Sequence, residues 1–419
     1  MTTETIQTSP APTAAPGVDA AAAGVALPRR RFGFALAGIA STLMLTGASA
    51  PSPFYPALEE RLGIGALGVT IAFAVYALAL LIALLTIGSI SDHLGRRPVI
   101  TVGFVLLAVS VLLLWQVDSG GALYLARVVQ GLASGALIST MSATIADFAP
   151  PRAPRLATLV NTLAPMTGLA LGTILAGVLL QTVADAATWT FLPLAAAYLA
   201  IAGLVWLLPE TSPRAEGWAK ALRPRAAVPV AARRLFGISV PIVLAGWATG
   251  GLFLSLGPTI VRTELGVDGQ LAGALLIGLL PAAGALAAFV LYRRRPVVAA
   301  VYGASALALG TLLLLLALVT ASLPIAVAAI VIAGTGFGTA FMGTIASLLP
   351  FAAVHERAEL FSSLYIVAYL SFGVPAVIAG VLTSIAGLHA TVLVYGAVVA
   401  VAAGGAALLR ARTASAGSV

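Results

Sequence analysis

The chain has 419 residues, of which 60% are hydrophobic and only 9% are charged, and its mean hydropathy is +1.08. Soluble globular proteins carry charge on about a quarter of their residues, so this composition excludes an ordinary soluble domain. The chain holds no cysteine, which excludes disulfides and thiolate metal sites. A formal net charge of +8 would suit nucleic acid, but the loop positions of the basic residues, given below, argue against that partner.

Residues 1–31 are expected to form a flexible N-terminal tail, because the stretch up to Pro28 is rich in Ala, Pro and Thr and lacks apolar periodicity. The three arginines at 29–31, the apolar stretch after them and Ala48-Ser49-Ala50 superficially resemble a secretory signal peptide. The apolar stretch is long for such a signal, and Pro51 would hinder cleavage. We therefore expect an uncleaved first membrane helix.

Twelve apolar runs of roughly 20 residues, the length that a helix needs to cross a bilayer core of about 30 Å, follow in chain order. Backbone polar groups cannot stay unpaired in lipid, so these runs are predicted to be helices. The runs lie at 32–54, 66–90, 98–117, 122–146, 156–180, 188–208, 236–260, 270–292, 297–320, 324–348, 360–384 and 389–409. We therefore predict an all-α membrane protein with six-helix lobes at 32–208 and 236–409, a linker at 209–235 and a tail at 410–419.

The basic residues set the predicted orientation through the positive-inside rule. If both termini and the linker are cytoplasmic, that side holds 19 of the 22 lysine and arginine residues. Arg61 and Arg262 fall outside, and Arg127 lies within a helix. A wrong helix count would scramble this asymmetry, so we predict a multi-pass inner (plasma) membrane protein with both ends in the cytoplasm.

The two predicted lobes resemble each other in sequence. Gly131 and Gly135 match Gly334 and Gly338 at an offset of 203 positions, and the segments 176–179 and 379–382 both read Ala-Gly-Val-Leu at the same offset. Such matches, in order and between equivalent runs, indicate duplicated lobes. In parallel repeats of this kind the substrate site lies at the lobe interface near the bilayer midplane.

The loop after the second run carries the most specific motif, Gly88-Ser89-Ile90-Ser91-Asp92-His93-Leu94-Gly95-Arg96-Arg97-Pro98. It resembles the signature loop of the major facilitator superfamily, G-x-x-x-D-(R/K)-x-G-R-(R/K), with His93 at a position that is usually basic. The resemblance implies a secondary transporter that works by alternating access, in which the loop contacts lock the outward-facing state. The simpler alternative is a tight basic turn that only obeys the positive-inside rule.

Physical chemistry indicates how this loop would act as a latch. Gly88 and Gly95 allow a sharp turn and a close approach to neighbouring helix ends. Asp92 is expected to accept hydrogen bonds at a helix N-terminus, where the helix dipole favours an anion, and Arg96 to pair with Asp147 at the end of the fourth run. The predicted latch consists of Gly88, Asp92, Gly95, Arg96, Arg97 and Asp147.

Two further motifs of this family have weaker counterparts. Arg127, Gln130 and Gly131 resemble R-x-x-Q-G, which implies a role for Arg127 in proton coupling; the alternative is that Arg127 snorkels to the membrane surface. Pro165 and Gly168 belong to a degraded form of the antiporter motif G-P-x-x-G, in which Ala164 replaces the first glycine, and they are expected to shape helix packing.

In this family the first, fourth, seventh and tenth helices face the pore. The residues expected to line a cavity are Met44, Thr46, Ser134, Ile138, Trp247, Phe253, Phe337 and Phe341, although residues of this kind more often serve packing than ligand contact. All 14 acids lie in loops, tails or helix ends. A cation site would need a buried carboxylate, so a neutral or weakly polar, fairly apolar substrate is expected.

The resulting hypothesis is proton-coupled export of a small, fairly apolar compound by a monomer without cofactors. A facilitator or a proton-coupled importer of a small metabolite is the alternative, and a membrane scaffold or receptor a third class. The three histidines, His93, His355 and His389, lie too far apart in sequence to suggest an enzyme or a metal site. The chain has no Gly-rich phosphate loop with a lysine, which argues against ATP-driven transport.

Overall fold

The computed structural model describes residues 27–416 apart from 154, 213, 215, 217–221, 223, 225, 354 and 355. Within these residues the chain contains helices and no strands, and twelve helices are long and apolar enough to cross a membrane. They are α1 (Leu27–Ser49), α2 (Gly65–Ile87), α3 (Arg96–Trp115), α4 (Gly120–Phe148), α5 (Arg155–Thr182), α6 (Ala186–Leu204), α7 (Arg233–Ser255), α8 (Gln270–Leu291), α9 (Pro296–Thr320), α10 (Leu323–Leu348), α11 (Arg357–Ala386) and α12 (Leu388–Ala416). The predicted all-α architecture is confirmed.

Short polar residues and proline mark where several helices begin. The Ser119 hydroxyl accepts a hydrogen bond from the Ala122 backbone N–H before α4, and the Asp185 carboxylate accepts one from Thr188 N–H before α6, both at 3.2 Å. Pro296 occupies the first position of α9, where its missing N–H leaves no helical bond unmade.

Two predicted boundaries were wrong, each after the first helix of a lobe. The first run was expected to continue to residue 54, but α1 ends at Ser49 and a short helix, Tyr55–Leu62, follows the prolines at 51 and 53. The seventh run was expected to reach 260, but α7 ends at Ser255 and a short helix restarts at Gly257–Thr263, with Pro258 in its first turn. Each lobe therefore has a break after its first helix.

The predicted tails are shorter than expected where the structure describes them. Residues 27–31 belong to α1, and the Arg30 side chain donates to the Ala149 carbonyl at the end of α4, at 3.0 Å. Residues 410–416 continue α12. The rest of the N-terminal tail, part of the linker with Lys220, Arg223 and Arg225, and His355 lie outside the described residues.

The twelve helices pack as two lobes of six. In the first lobe α2 packs on α4, α1 on α5 and α3 on both α4 and α6; in the second, α8 packs on α10, α7 on α11 and α9 on both α10 and α12. The lobes meet where α5 contacts α8 and α2 contacts α11. This arrangement confirms the two-lobed fold.

The glycine repeat has the same structural role in both lobes. Gly131 and Gly135 of α4 lie against the backbone carbonyls of Tyr76 and Leu80 in α2, so a side chain at either glycine would collide with main chain. In the second lobe the matching glycines of α10, Gly334 and Gly338, lie against the backbone carbonyls of Leu280 and Gly284 in α8. Small residues at these positions let the two helix backbones approach closely.

A tyrosine in the sixth helix of each lobe fixes the first helix. The Tyr198 hydroxyl of α6 donates to the Leu43 carbonyl of α1 at 3.0 Å, and the Tyr395 hydroxyl of α12 donates to the Ala248 carbonyl of α7 at 2.8 Å. Both tyrosines are buried, where a hydroxyl needs a partner. The repetition supports the duplicated origin of the lobes.

The bundle has two different ends. The linker end is the end at which α6 stops and α7 starts, and the far end is the opposite one. At the far end the Ser52 hydroxyl donates to the Leu254 carbonyl of the other lobe at 2.6 Å, and Gly380 of α11 packs against Thr70 of α2. The two lobes are therefore in close contact at the far end.

Candidate functional site

The signature loop turns sharply at the linker end, between α2 and α3. Gly95 has φ +106°, a conformation that L side chains rarely adopt, and α3 begins at the next residue. The Gly88 carbonyl accepts a hydrogen bond from the Ser139 hydroxyl of α4 at 2.5 Å. Gly95 therefore makes the sharp turn, and the Gly88 carbonyl ties the start of the loop to α4.

Arg96 lies at the centre of this loop. Its guanidinium contacts the Asp92 carboxylate at 2.5 Å, the Ser91 hydroxyl at 2.7 Å and the Asp147 carboxylate at 3.4 Å. The expected contact between Arg96 and Asp147 is thus present in the structure. It joins the loop to the end of α4.

The expected partner of Asp92 was wrong. The N-terminus of α3 is capped by Glu210, whose carboxylate accepts the backbone N–H groups of Arg96 at 2.8 Å and Arg97 at 3.2 Å. Asp92 lies four residues before Arg96, on the other side of the turn at Gly95, and binds the Arg96 side chain instead. An acid directly after the sixth apolar run, beside a basic loop, was the sequence signal for Glu210.

The start of the linker closes over the same cluster. The Thr211 hydroxyl donates to Asp147 at 2.7 Å, and the Ser212 hydroxyl donates to the Asp92 backbone carbonyl at 3.0 Å. All these contacts join the α2–α3 loop, α4 and the linker, and so belong to the first lobe. The cluster can hold the α2–α3 loop in a single conformation at the linker end.

Arg127 does not snorkel to the membrane surface. It is 0% exposed and lies two turns into α4, where its Nη1 donates to the Ala48 carbonyl of α1 at 3.2 Å and to the Gln130 side chain. The guanidinium also lies over the Tyr76 ring, 4.5 Å from its centroid. The snorkelling alternative is therefore wrong, because the neighbouring helices enclose the side chain.

Gln130 and Gly131 complete the local structure around Arg127. The Gln130 amide donates to the Gly47 carbonyl of α1 at 2.8 Å, so Arg127 and Gln130 both bind the last turn of α1. Gly131 sits against α2 as described above. The three motif residues thus lie where α1, α2 and α4 meet.

Two of the predicted cavity residues belong to an aromatic cluster at the lobe interface. The aromatic cluster consists of Trp247, Phe341, Tyr365, Tyr369 and Phe372, with Trp247 at its centre, 4.8 Å from Tyr369 and 5.3 Å from Phe341 between ring centroids. Phe372 reaches Phe73 of the first lobe at 4.6 Å. Ile138 of α4 packs against the same interface.

The three α11 members of the aromatic cluster were missed from the sequence. Tyr365, Tyr369 and Phe372 follow each other at helical spacings of four and three residues, which places them on one face of α11. That spacing was the available signal. The predicted cavity residues came only from the first, fourth, seventh and tenth helices, so none lay on α11.

The other predicted cavity residues lie elsewhere. Met44 belongs to the core of the first lobe, Thr46 donates to the Thr42 carbonyl within α1, and Ser134 is buried beside the Tyr76 hydroxyl. Phe253 lines an apolar cavity inside the second lobe, and Phe337 packs in the core of that lobe against Gly250. Met44, Phe253 and Phe337 are therefore packing residues in this structure, because they face their own lobe.

Pro165 and Gly168 lie in α5 beside the first helix. Pro165 is inside α5, and Gly168 lies against the Thr42 carbonyl of α1 so closely that a side chain would not fit. The two residues therefore shape the α1–α5 contact. No group of acids and histidines that could hold a metal ion occurs among the described residues.

The Major Facilitator Superfamily model matches residues 37–349 of the chain. Multidrug resistance protein MdtL of Klebsiella pneumoniae is 32% identical over 92 residues, which are 22% of this chain. The chain spans about a quarter of the length of the curated relatives that it matches, since the match covers 24% of MdtL.

Solved transporters have the same fold. A bacterial homolog of the human lysosomal transporter Spinster, in an inward-facing and occupied conformation, superposes with a TM-score of 0.73 over 93% of this chain and 98% of that chain, at 14% identity. The xylose transporter XylE from E. coli superposes with a TM-score of 0.69 over 89% and 96% of the two chains, at 15% identity. At these identities the likeness shows the fold alone.

Proposed function

Since the chain belongs to the Major Facilitator Superfamily, we propose that it is a proton-coupled exporter of a small, fairly apolar compound. It works by alternating access, in which the two lobes open a central site to one side of the membrane at a time. The similarity to a protein named for multidrug resistance supports export. Membership in this family also points to a transporter and not to an enzyme.

The aromatic cluster is the single observation that carries the substrate class. Its five rings come from the central parts of α7, α10 and α11, at the interface where a carrier of this fold holds its substrate. Apolar pockets with aromatic walls and few polar groups favour ligands that bury hydrocarbon surface. No acid occurs in the cluster, since the described acids lie in loops, short helices or the end turns of long helices.

We place the transporter in the inner (plasma) membrane as a monomer, with both termini and the 209–235 linker in the cytoplasm. The basic residues support this orientation, because they concentrate at the linker end. The far end would then face the outside. The end at which the lobes are in close contact would be the outer one.

We further propose that Gly88, Asp92, Gly95, Arg96, Arg97 and Asp147 act as the conformational latch, now with Glu210. Their contacts hold the loop in one shape, and that shape meets the second lobe when the linker end closes. Arg127, with Gln130 and Gly131, is the candidate for coupling. Its burial supports a role beyond anchoring the membrane surface.

Expression in a host that lacks its own exporters tests the proposed function. We expect the protein to raise resistance to some toxic apolar compounds, and Trp247→Leu to abolish that resistance at unchanged expression. Trp189→Leu is the matched control, because Trp189 is 61% exposed on the outer surface of the bundle. Unchanged sensitivity to every compound in a broad panel would contradict export.

A further inference from the structure

Arg127 is a buried cation whose partners are all neutral. Its Nη1 binds one carbonyl and one amide oxygen, while its Nε and Nη2 have no hydrogen-bond partner. No ion pair involves Arg127 within the described part of the chain. A buried charge without a counter-charge is unfavourable, so an anion brought in by a ligand would stabilise this site.

A second buried polar group near Arg127 also lacks a partner. The Tyr55 hydroxyl, which is close enough to Arg127 to interact with its charge, makes no hydrogen bond, whereas the Ser134 hydroxyl, two turns further along the same face of α4, lies beside the Tyr76 hydroxyl. Buried hydroxyls are normally paired. One hydroxyl group and two guanidinium nitrogens therefore remain available for oxygen atoms of a ligand.

Only aromatic rings separate this site from the lobe interface. The guanidinium lies 4.5 Å from the Tyr76 ring and 5.7 Å from the Phe73 ring, and Phe73 in turn packs on Phe372 of the second lobe at 4.6 Å. When the lobes separate at the far end, the Phe73–Phe372 contact must break. That separation would expose the Phe73 ring, which lies beside the Arg127 guanidinium.

We propose that the substrate is an aromatic organic anion. Its ring system packs in the aromatic cluster, and its carboxylate or sulfonate pairs with Arg127 and accepts a hydrogen bond from the Tyr55 hydroxyl. This inference rests on the proposed function and deepens it by naming the substrate class. It replaces the sequence-based expectation of a neutral substrate, which considered the absence of buried acids but not a buried cation without a counter-ion.

Equilibrium binding of 2-naphthoate and 2-naphthamide to the purified protein in lipid nanodiscs at pH 7 tests this inference. The two probes share one ring system and differ in charge. We expect the wild-type protein to bind the carboxylate about tenfold more tightly than the amide. This is the affinity ratio that one charge-assisted hydrogen bond produces. Arg127→Gln should abolish the preference, whereas Arg61→Gln, which removes an exposed arginine at the far end, should keep it.

Arg127→Lys guards against a folding defect, because it keeps the buried charge and should retain most of the preference. If Arg127 served proton coupling alone, Arg127→Gln would change the affinities for the two probes by the same factor, and the preference would remain. Equal affinity for the two probes, no binding of either, or a preference that survives in Arg127→Gln would overturn the anion site. If the protein exports neutral compounds but binds the two probes equally, the proposed function holds and the anion site fails. If it prefers naphthoate but exports nothing, the anion site holds and the proposed export fails.

Discussion

The Glu60 carboxylate and the Arg262 guanidinium lie 3.0 Å apart and join the two lobes at the far end. Their positions differ by 202, almost the offset of the repeat, and so do those of Ser52 and Leu254, which also bind each other. A contact between equivalent positions of two duplicated lobes must lie at the axis that relates them. These contacts therefore have to break whenever the far end opens.

Glu60→Gln should open the far end more often. Exposed ion pairs contribute about 0.2–1 kcal/mol, so the open population should rise up to about fivefold while thermal stability hardly changes. The measurement is thiol labelling of Val69→Cys, which is buried at the lobe interface, with a reagent confined to the far side.

Arg61→Gln is the control for this experiment, because Arg61 donates to the Val117 carbonyl within its own lobe. With Arg61→Gln added, the labelling rate of Val69→Cys should match that of Val69→Cys alone. If Glu60→Gln labels no faster than Arg61→Gln, the ion pair does not hold the far end closed.

Asp92→Asn and Asp147→Asn should shift the carrier toward the inward-facing state. Both acids bind Arg96 within the first lobe and hold the loop in the shape that meets the second lobe. A charge-assisted hydrogen bond contributes about 1.5–3 kcal/mol, and only the part that differs between the two states shifts the population, so losing one should change it up to about tenfold. Labelling of Leu85→Cys from the linker side should rise in each variant. The rise should be less than additive in the double variant, because both acids bind Arg96.

The alternative to the latch is that Asp92 and Asp147 serve only membrane insertion. In that case the variants would be poorly expressed and their labelling would be unchanged. Normal expression with unchanged labelling would reject the latch. The native chain has no cysteine, so every label reports the introduced one.

Glu210→Gln should destabilise the linker end. The Glu210 carboxylate accepts backbone N–H groups from Arg96 and Arg97 of α3 and from its own neighbours Thr211 and Ser212. Loss of its charge beside the α3 dipole should cost about 1–3 kcal/mol. The midpoint of thermal unfolding should fall, whereas Glu216→Gln at an exposed linker position should leave it unchanged.

Arg127→Ala should abolish gradient-driven transport while the protein still folds. The side chain links α4 to α1 and lies against two rings of α2, so its loss removes a buried positive charge from the junction of these helices. Transport into energised inverted vesicles measures the effect, and size-exclusion chromatography checks folding. Near-normal transport by a well-folded Ala variant would remove Arg127 from the site.

Much of the fold followed from the sequence because lipid leaves few choices. Apolar runs of bilayer length must be helices, and loop charge sets their direction, so twelve helices in two lobes could be predicted. The contact of Arg96 with Asp147 could also be predicted, since both lie at helix ends on the same side. The repeat offset anticipated the matching glycine contacts of α4 and α10.

The remaining features depend on contacts that periodicity does not encode. The role of Glu210 requires the linker to fold back over α3, and the aromatic cluster requires α11 to turn one face toward α7. The neutral surroundings of Arg127 depend on how α1, α2 and α4 pack together, which the sequence pattern does not specify. Each of these relationships joins residues that are distant in the chain.

The most direct test of proton-coupled export uses a compound identified by the resistance panel. Its concentrative uptake is measured in energised inverted vesicles that contain the protein, before and after an uncoupler. The account predicts that uptake collapses with the uncoupler, while exchange of labelled for unlabelled compound continues, because exchange needs no gradient. Concentrative uptake that persists after the proton gradient has been dissipated would contradict the account.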